Sequence, residues 1–136
     1  MIMKIAIVGS RKYTNKRKIK DFIFNLKEKF GDELEIISGG QKHGADNYAK
    51  KVSLEFGLRY SEFPPSHYPH NIHCVLPKHR YGLPYGGKWA YHKRNEQIAK
   101  YCDRLVAFCY EGKVSKGTKS ALKFCERNKK KYIIID

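Results

Sequence analysis

No C-x-x-C pair occurs in this chain; Cys74, Cys102, Cys109 and Cys125 stand singly among its 136 residues. That argues against a disulfide framework and predicts free thiols in a reducing compartment. Cys102, Cys109 and Cys125 sit beside apolar neighbours and read as small buried side chains. No apolar run approaches the roughly 20 residues that span a bilayer. The opening "MIMKIAIVGSRKY" lacks a small-residue cleavage site and reads as a strand, so a soluble, cytoplasmic protein without a membrane partner is expected. Neither the P-loop pattern nor G-x-G-x-x-G is present, which counts against standard ATPase and dinucleotide-binding readings. Internal repeats and low-complexity tracts are absent too. Proline is missing everywhere except residues 64–87, which hold all 5 prolines and 4 of the 6 histidines.

Acidic residues are scarce: 13 Asp and Glu face 28 Lys and Arg, a net charge of +15. Residues 1–68 carry 13 basic and 8 acidic side chains, and residues 69–136 carry 15 and 5, so the excess lies toward the C-terminal half. Such a balance suits an anionic partner, although lysine-rich faces also serve solubility alone.

What is present alternates between two periods. "MKIAIVGS" (3–10) reads as a strand covered on both faces, and "LEIISGG" (34–40), "LRYSEF" (58–63), "DRLVAFCY" (103–110) and "KYIIID" (131–136) read as four further strands. Between them, Ile19, Phe22, Ile23, Leu26 and Phe30 recur at helical spacing before Gly31. Three further segments, 45–57, 88–102 and 117–128, also read as helices. Strands that alternate with helices over short loops predict a doubly wound, Rossmann-like parallel sheet of about five strands with helices on both faces. The expected organisation is a single domain over 1–136, with the 64–87 segment inserted as a loop or lid.

In such a sheet ligands bind beyond the carboxyl ends of the strands, where helices present unpaired N–H groups. The glycine-rich junctions all fall at that edge. Gly39, Gly40 and Gly44 permit tight turning and close backbone approach, and Ala45 and Asp46 open the next helix. Gly117 and Thr118 repeat the pattern, with Ser115 as a further donor and Lys113, Lys116 and Lys119 as cations. Arg94 and Asn95 sit early in their helix, within reach of a ligand. Each junction taken singly also reads as an ordinary turn, with Asp46 favouring a helix N-terminus through the macrodipole.

Taken together and in order, "KIAIVGSRKY", "ISGGQKHGADNYAKKVS", "KRNEQIAKYCDRLVAFC" and "SKGTKSA" resemble the YspA/YpsA-related branch of the SLOG superfamily. That superfamily also includes the Lonely Guy phosphoribohydrolases and DNA-processing protein A. The resemblance covers the chain outside 64–87. It implies a pocket for a nucleotide or nucleotide derivative, lined by Gly9, Ser10, Arg11, Ser38, Gly39, Gly40, Gly44, Ala45, Asp46, Arg94, Asn95, Ser115, Gly117 and Thr118. Two departures stand out. The glutamate of the Lonely Guy G-T-x-x-E pattern is replaced by Ala121, and Val114 lengthens the loop before Ser115 by one residue.

Three functions follow as expectations. The first is a nucleotide-binding sensor or sequestering module without a cofactor. The second is a hydrolase of the N-glycosidic bond in a nucleoside monophosphate, with Asp46 or Glu62 as the catalytic carboxylate. The third is single-stranded nucleic-acid binding, with Tyr81, Tyr85, Trp89 and Tyr91 stacking on bases. A zinc site from His67, His70, His73, Cys74 and His79 matches no known ligand spacing, and no metal is expected. Homo-oligomerisation stays open.

Overall fold

The computed structural model describes residues 2–40, 43–63 and 88–136, with side chains described from residue 92 onward in the last stretch. The loop or lid expected at 64–87, the zinc ligands considered within it, and the side chains of Tyr81, Tyr85, Trp89 and Tyr91 lie outside the described residues.

Among the described residues, five strands, β1 (Met3–Gly9), β2 (Leu34–Ser38), β3 (Arg59–Glu62), β4 (Arg104–Phe108) and β5 (Lys131–Ile135), alternate with four helices. The helices are α1 (Lys16–Phe30), α2 (Ala45–Glu55), α3 (Lys88–Tyr101) and α4 (Lys116–Arg127), and a short 3-10 turn, Gly31–Glu33, precedes β2. The strand order is β3-β2-β1-β4-β5 and every pairing is parallel. This is the expected doubly wound Rossmann-like α/β architecture. Strand order reverses between β1 and β4, where Gly9 pairs with Phe108 in register; the crevice beyond such a reversal is where open α/β sheets take their ligands.

Alternation along the strands explains the two layers. In β1, Ile5 and Ile7 join one buried cluster with Ile19 and Ile23 of α1 and Ala49 and Val52 of α2. Ala6 and Val8 point the other way, into a cluster with Ile98 and Ala99 of α3 and Leu122 and Cys125 of α4. Each fully buried Ile, Leu or Phe side chain contributes about 1.5–3 kcal/mol, and Ile7, Ile36, Leu105 and Phe108 are all buried to that degree. Cys102, Cys109 and Cys125 are free and buried, as expected for small core residues.

Local chemistry sets the helix starts. Asn15 caps α1 by accepting from Lys18 N at 3.1 Å, and Ser115 caps α4 by accepting from Thr118 N at 3.3 Å; both are preferred cap residues. The α2 start has no side-chain cap: Gly44 takes that position at φ +79°, and its carbonyl accepts from Tyr48 N. The extra residue before Ser115 also has a place. Glu111 and Gly112 both adopt positive φ in a turn closed by Lys113 N donating to Tyr110 O at 3.0 Å. Val114 then packs against the α3/α4 core.

Candidate functional site

A cavity of about 590 Å³ opens at the carboxyl ends of β1 and β2, between the starts of α2 and α4. Ten of the fourteen positions implied by resemblance line it: Gly9, Ser10, Arg11, Gly39, Asp46, Arg94, Asn95, Ser115, Gly117 and Thr118. They come from separate loops, and close backbone packing is what brings those loops together. A Cβ on Gly9 would lie 2.2 Å from Phe108 O, so only glycine lets the two strand ends touch here. Gly44 sits against the Ser10 carbonyl, which accepts from Ala45 N at 3.2 Å. The loop after β1 and the start of α2 are thus one packed unit.

Helix α3 closes the cavity from the other layer. Arg94 and Asn95 are almost wholly buried, at 6% and 4% exposure. Arg94 Nη1 donates to Gly39 O at 2.7 Å, Arg94 Nε donates to Asn95 Oδ1 at 2.8 Å, and Asn95 Nδ2 donates to Gly117 O at 3.2 Å. A continuous chain of hydrogen bonds therefore ties the β2–α2 turn to the first turn of α4. Asp46 is buried in the first turn of α2, and its Oδ2 lies 2.9 Å from the position a Gly39 Cβ would take. Carboxylate and guanidinium thus converge on Gly39, where the missing side chain makes room. The expectation that Arg94 and Asn95 simply reach out to a ligand is refined: both face the cavity while holding its two glycine turns in position.

The other five sequence candidates do not line the cavity. Gly44 and Ala45 form the joint with the Ser10 loop. Ser38 is buried beneath the turn, with its Oγ 2.6 Å from Tyr60 Oη. Tyr60 donates to Glu62 Oε1 at 3.0 Å, which leaves Ser38 as the donor to Tyr60, since a phenol has one proton. Burial pushes the Tyr60 phenol well above its ordinary value; its bond with Ser38 works the other way, and the Glu62 charge adds to the rise. Glu62 also pairs with Lys50 at 3.3 Å, and a Cβ on Gly40 would come within 2.9 Å of it. The proposed Glu62 carboxylate is thus committed to a polar cluster behind Gly40, outside the cavity wall. Among the described residues, Asp46 is the one carboxylate of the cavity lining.

Several lining residues were not singled out from the sequence as site residues. Val8 ends the apolar run of β1, and Lys12 lies two residues beyond the Gly-Ser junction. From α4 come Lys116, one of the three cations the sequence pointed to beside Ser115, and Ala121, at the position where resemblance places a glutamate. His92 is the other addition: its Nδ1 is 2.7 Å from Ser120 Oγ on α4. It precedes Asn95 by three residues, and that spacing on one helix face was the signal available for it. The lining therefore carries Arg11, Lys12, Arg94 and Lys116 against the Asp46 carboxylate, an electrostatic balance that favours an anionic occupant.

Fold and cavity together define a Rossmann-like α/β protein with a cationic crevice at its strand-order reversal. No family model and no curated protein matches the sequence. Among solved structures, the chain is similar to the molybdenum cofactor binding protein from the phototrophic bacterium Rippkaea orientalis, at 18% identity over 98% of this chain and 76% of that one, with a TM-score of 0.68. It is also similar to the molybdenum cofactor carrier protein from Chlamydomonas reinhardtii, at 17% identity over 98% and 76% of the two chains, with a TM-score of 0.66. At these identities the likeness is one of fold. Among the described residues, no helix is long and apolar enough to cross a membrane, and no cluster of three metal-ligating side chains occurs.

Proposed function

We propose that this protein is a small-molecule binding module whose ligand is a phosphate-bearing nucleotide or nucleotide derivative, held in the crevice between β1, α2 and α4. The observation that carries the reading is the convergence of three separate turns, at Gly9–Arg11, Gly39 and Ser115–Thr118, on one cavity whose lining, among the described residues, includes Arg11, Lys12, Arg94 and Lys116 with the Asp46 carboxylate. Exposed Gly117 and the capped start of α4 suit an anionic group, because amides at a helix N-terminus are left without partners. Asp46 suits a hydroxyl or ring N–H of the same ligand, as a buried carboxylate accepts strongly. The neighbours in fold are a molybdenum cofactor binding protein and a molybdenum cofactor carrier protein, which supports a carrier or sequestering role here as well.

A hydrolytic role is the weaker alternative. N-glycoside cleavage draws on a second, freely placed carboxylate, whereas Ala121 lines the cavity where that group would stand and Glu62 is engaged with Tyr60 and Lys50.

Calorimetric titration with nucleoside monophosphates, cyclic nucleotides, the parent nucleosides and the molybdenum cofactor tests the proposal. Binding of at least one phosphorylated compound, and at least tenfold weaker binding of its unphosphorylated parent, is the expected result. If nothing binds, or if the nucleoside binds as well as its phosphate, the reading is wrong. Chromatography of the same mixtures for released base decides between module and hydrolase.

A further inference from the structure

We propose that His92 is a ligand contact of this cavity and that it takes up a proton when a phosphate-bearing ligand binds. The inference rests on the reading of the cavity given above and adds a recognition residue with a proton linkage. His92, an exposed residue of α3, is part of the cavity lining. Nδ1 is held at 2.7 Å by Ser120 Oγ, and Ser120 is a buried residue of α4, at 8% exposure. That bond sets the ring orientation and leaves Nε2 as the nitrogen for a ligand.

The partner chosen for Nδ1 matters. A carboxylate would hold the ring as imidazolium, and a lysine would hold it neutral. Serine does neither, because its hydroxyl donates to the Nδ1 lone pair of the neutral ring and accepts from Nδ1–H of the cation. The charge of His92 is therefore left to whatever Nε2 meets. The charged groups that share the cavity lining with it are Arg11 and Lys12 from the loop after β1, Asp46 from α2, Arg94 from α3 and Lys116 from α4. Lys93 and Glu96, on the same helix, pair with each other at 2.9 Å. Arg, Lys and Asp ordinarily titrate outside pH 5–8, whereas histidine titrates within it. An incoming phosphate brings negative charge to Nε2 and favours imidazolium, which then donates a charge-assisted hydrogen bond from that nitrogen.

The linkage is measured with adenosine 5′-monophosphate as the probe, comparing wild type, His92→Gln and Ser120→Ala at pH 6 and pH 8. The phosphate of the probe titrates near pH 6 itself, and comparison of wild type with His92→Gln cancels that contribution. Wild-type affinity should rise on acidification by about tenfold more than that of His92→Gln, and calorimetry in two buffers of different ionisation enthalpy should register proton uptake that His92→Gln lacks. Ser120→Ala should keep the proton uptake with severalfold weaker binding, since the ring stays but loses its orienting bond. Side-chain nitrogen NMR of the wild-type protein gives a second readout free of any variant: the His92 Nε2 resonance should move toward the imidazolium position as probe is added at pH 7. Equal pH slopes and equal proton uptake in wild type and His92→Gln, with binding intact, would overturn the inference and leave the proposed function standing. Absence of binding by every phosphorylated compound in wild type would remove both.

Discussion

The β2–α2 and β4–α4 junctions each place a glycine on the cavity, yet the reason for glycine differs between them. At the first, there is no room for anything else: a Cβ on Gly39 would meet Arg94 Nη1 at 2.1 Å, and one on Gly44 would meet the Ser10 carbonyl at 2.2 Å. At the second, a Cβ on Gly117 would find nothing within 4 Å, and Gly117 is exposed in the first turn of α4. One turn is glycine-rich because the protein packs against itself there. The other carries a glycine that the fold does not require, which is what open space for a ligand's approach would look like.

Substitution at Gly44 should separate the two junctions most sharply. Gly44→Ala forces a side chain into positive φ and against backbone atoms of Ser10 and Arg11, and neither can yield by rotating a side chain. A loss of about 3 kcal/mol or more in urea unfolding is expected; a loss under 1 kcal/mol would mean that the joint between the β1 loop and α2 is looser than described. Gly39→Ala comes next. Its Cβ displaces the Arg94 guanidinium, so the Gly39 carbonyl loses its donor and about 2 kcal/mol of stability goes with it. Ligand affinity should fall in the same variant by tenfold or more, read by calorimetry.

Behind the turn, Tyr60→Phe removes the hydroxyl shared by Ser38 and Glu62 and should cost about 1 kcal/mol. The alkaline limb of stability tests the same group. Because the folded state raises the Tyr60 value, its contribution is complete below the ordinary tyrosine value of about 10 and is lost as pH rises from there toward the raised value. Wild type should therefore lose stability above pH 10 more steeply than Tyr60→Phe. The smallest effect on the fold belongs to Gly117→Ala, where unfolding should shift by less than about 1 kcal/mol and in the stabilising direction, since alanine is the better helix former. If that variant binds ligand as well as wild type does, the contrast between the junctions loses its functional half.

Much of the architecture was legible because strand and helix leave different periods in the chain. The helix expected at 117–128 is observed as Lys116–Arg127, and the strand expected at 103–110 as Arg104–Phe108. Strand ends were overextended where apolar residues continue past the ladder, as at Cys109 and Tyr110, because hydrophobicity marks burial and not pairing. The 3-10 turn at Gly31–Glu33 has no apolar rhythm and left no signal. Within the site, glycines and cap residues could be assigned to the correct edge from local rules. Ser38, Gly40 and Glu62 looked alike in the chain and turned out to belong to a polar cluster with Tyr60, a partner 22 residues from Ser38.

By itself, the sequence determined the order of elements, the burial of both sheet faces, the glycine turns at the strand ends and the strongly basic character. These depend on the period of the side chains, on local backbone freedom and on a count of charges, all readable along one dimension. Only the tertiary structure decided that Arg94 and Asn95 tie two of those turns together, that Asp46 faces the cavity while Glu62 does not, and that His92 joins Ser120 across two helices. Those assignments follow from hydrogen bonds between segments distant in sequence, and such bonds exist only once both layers have packed onto the sheet.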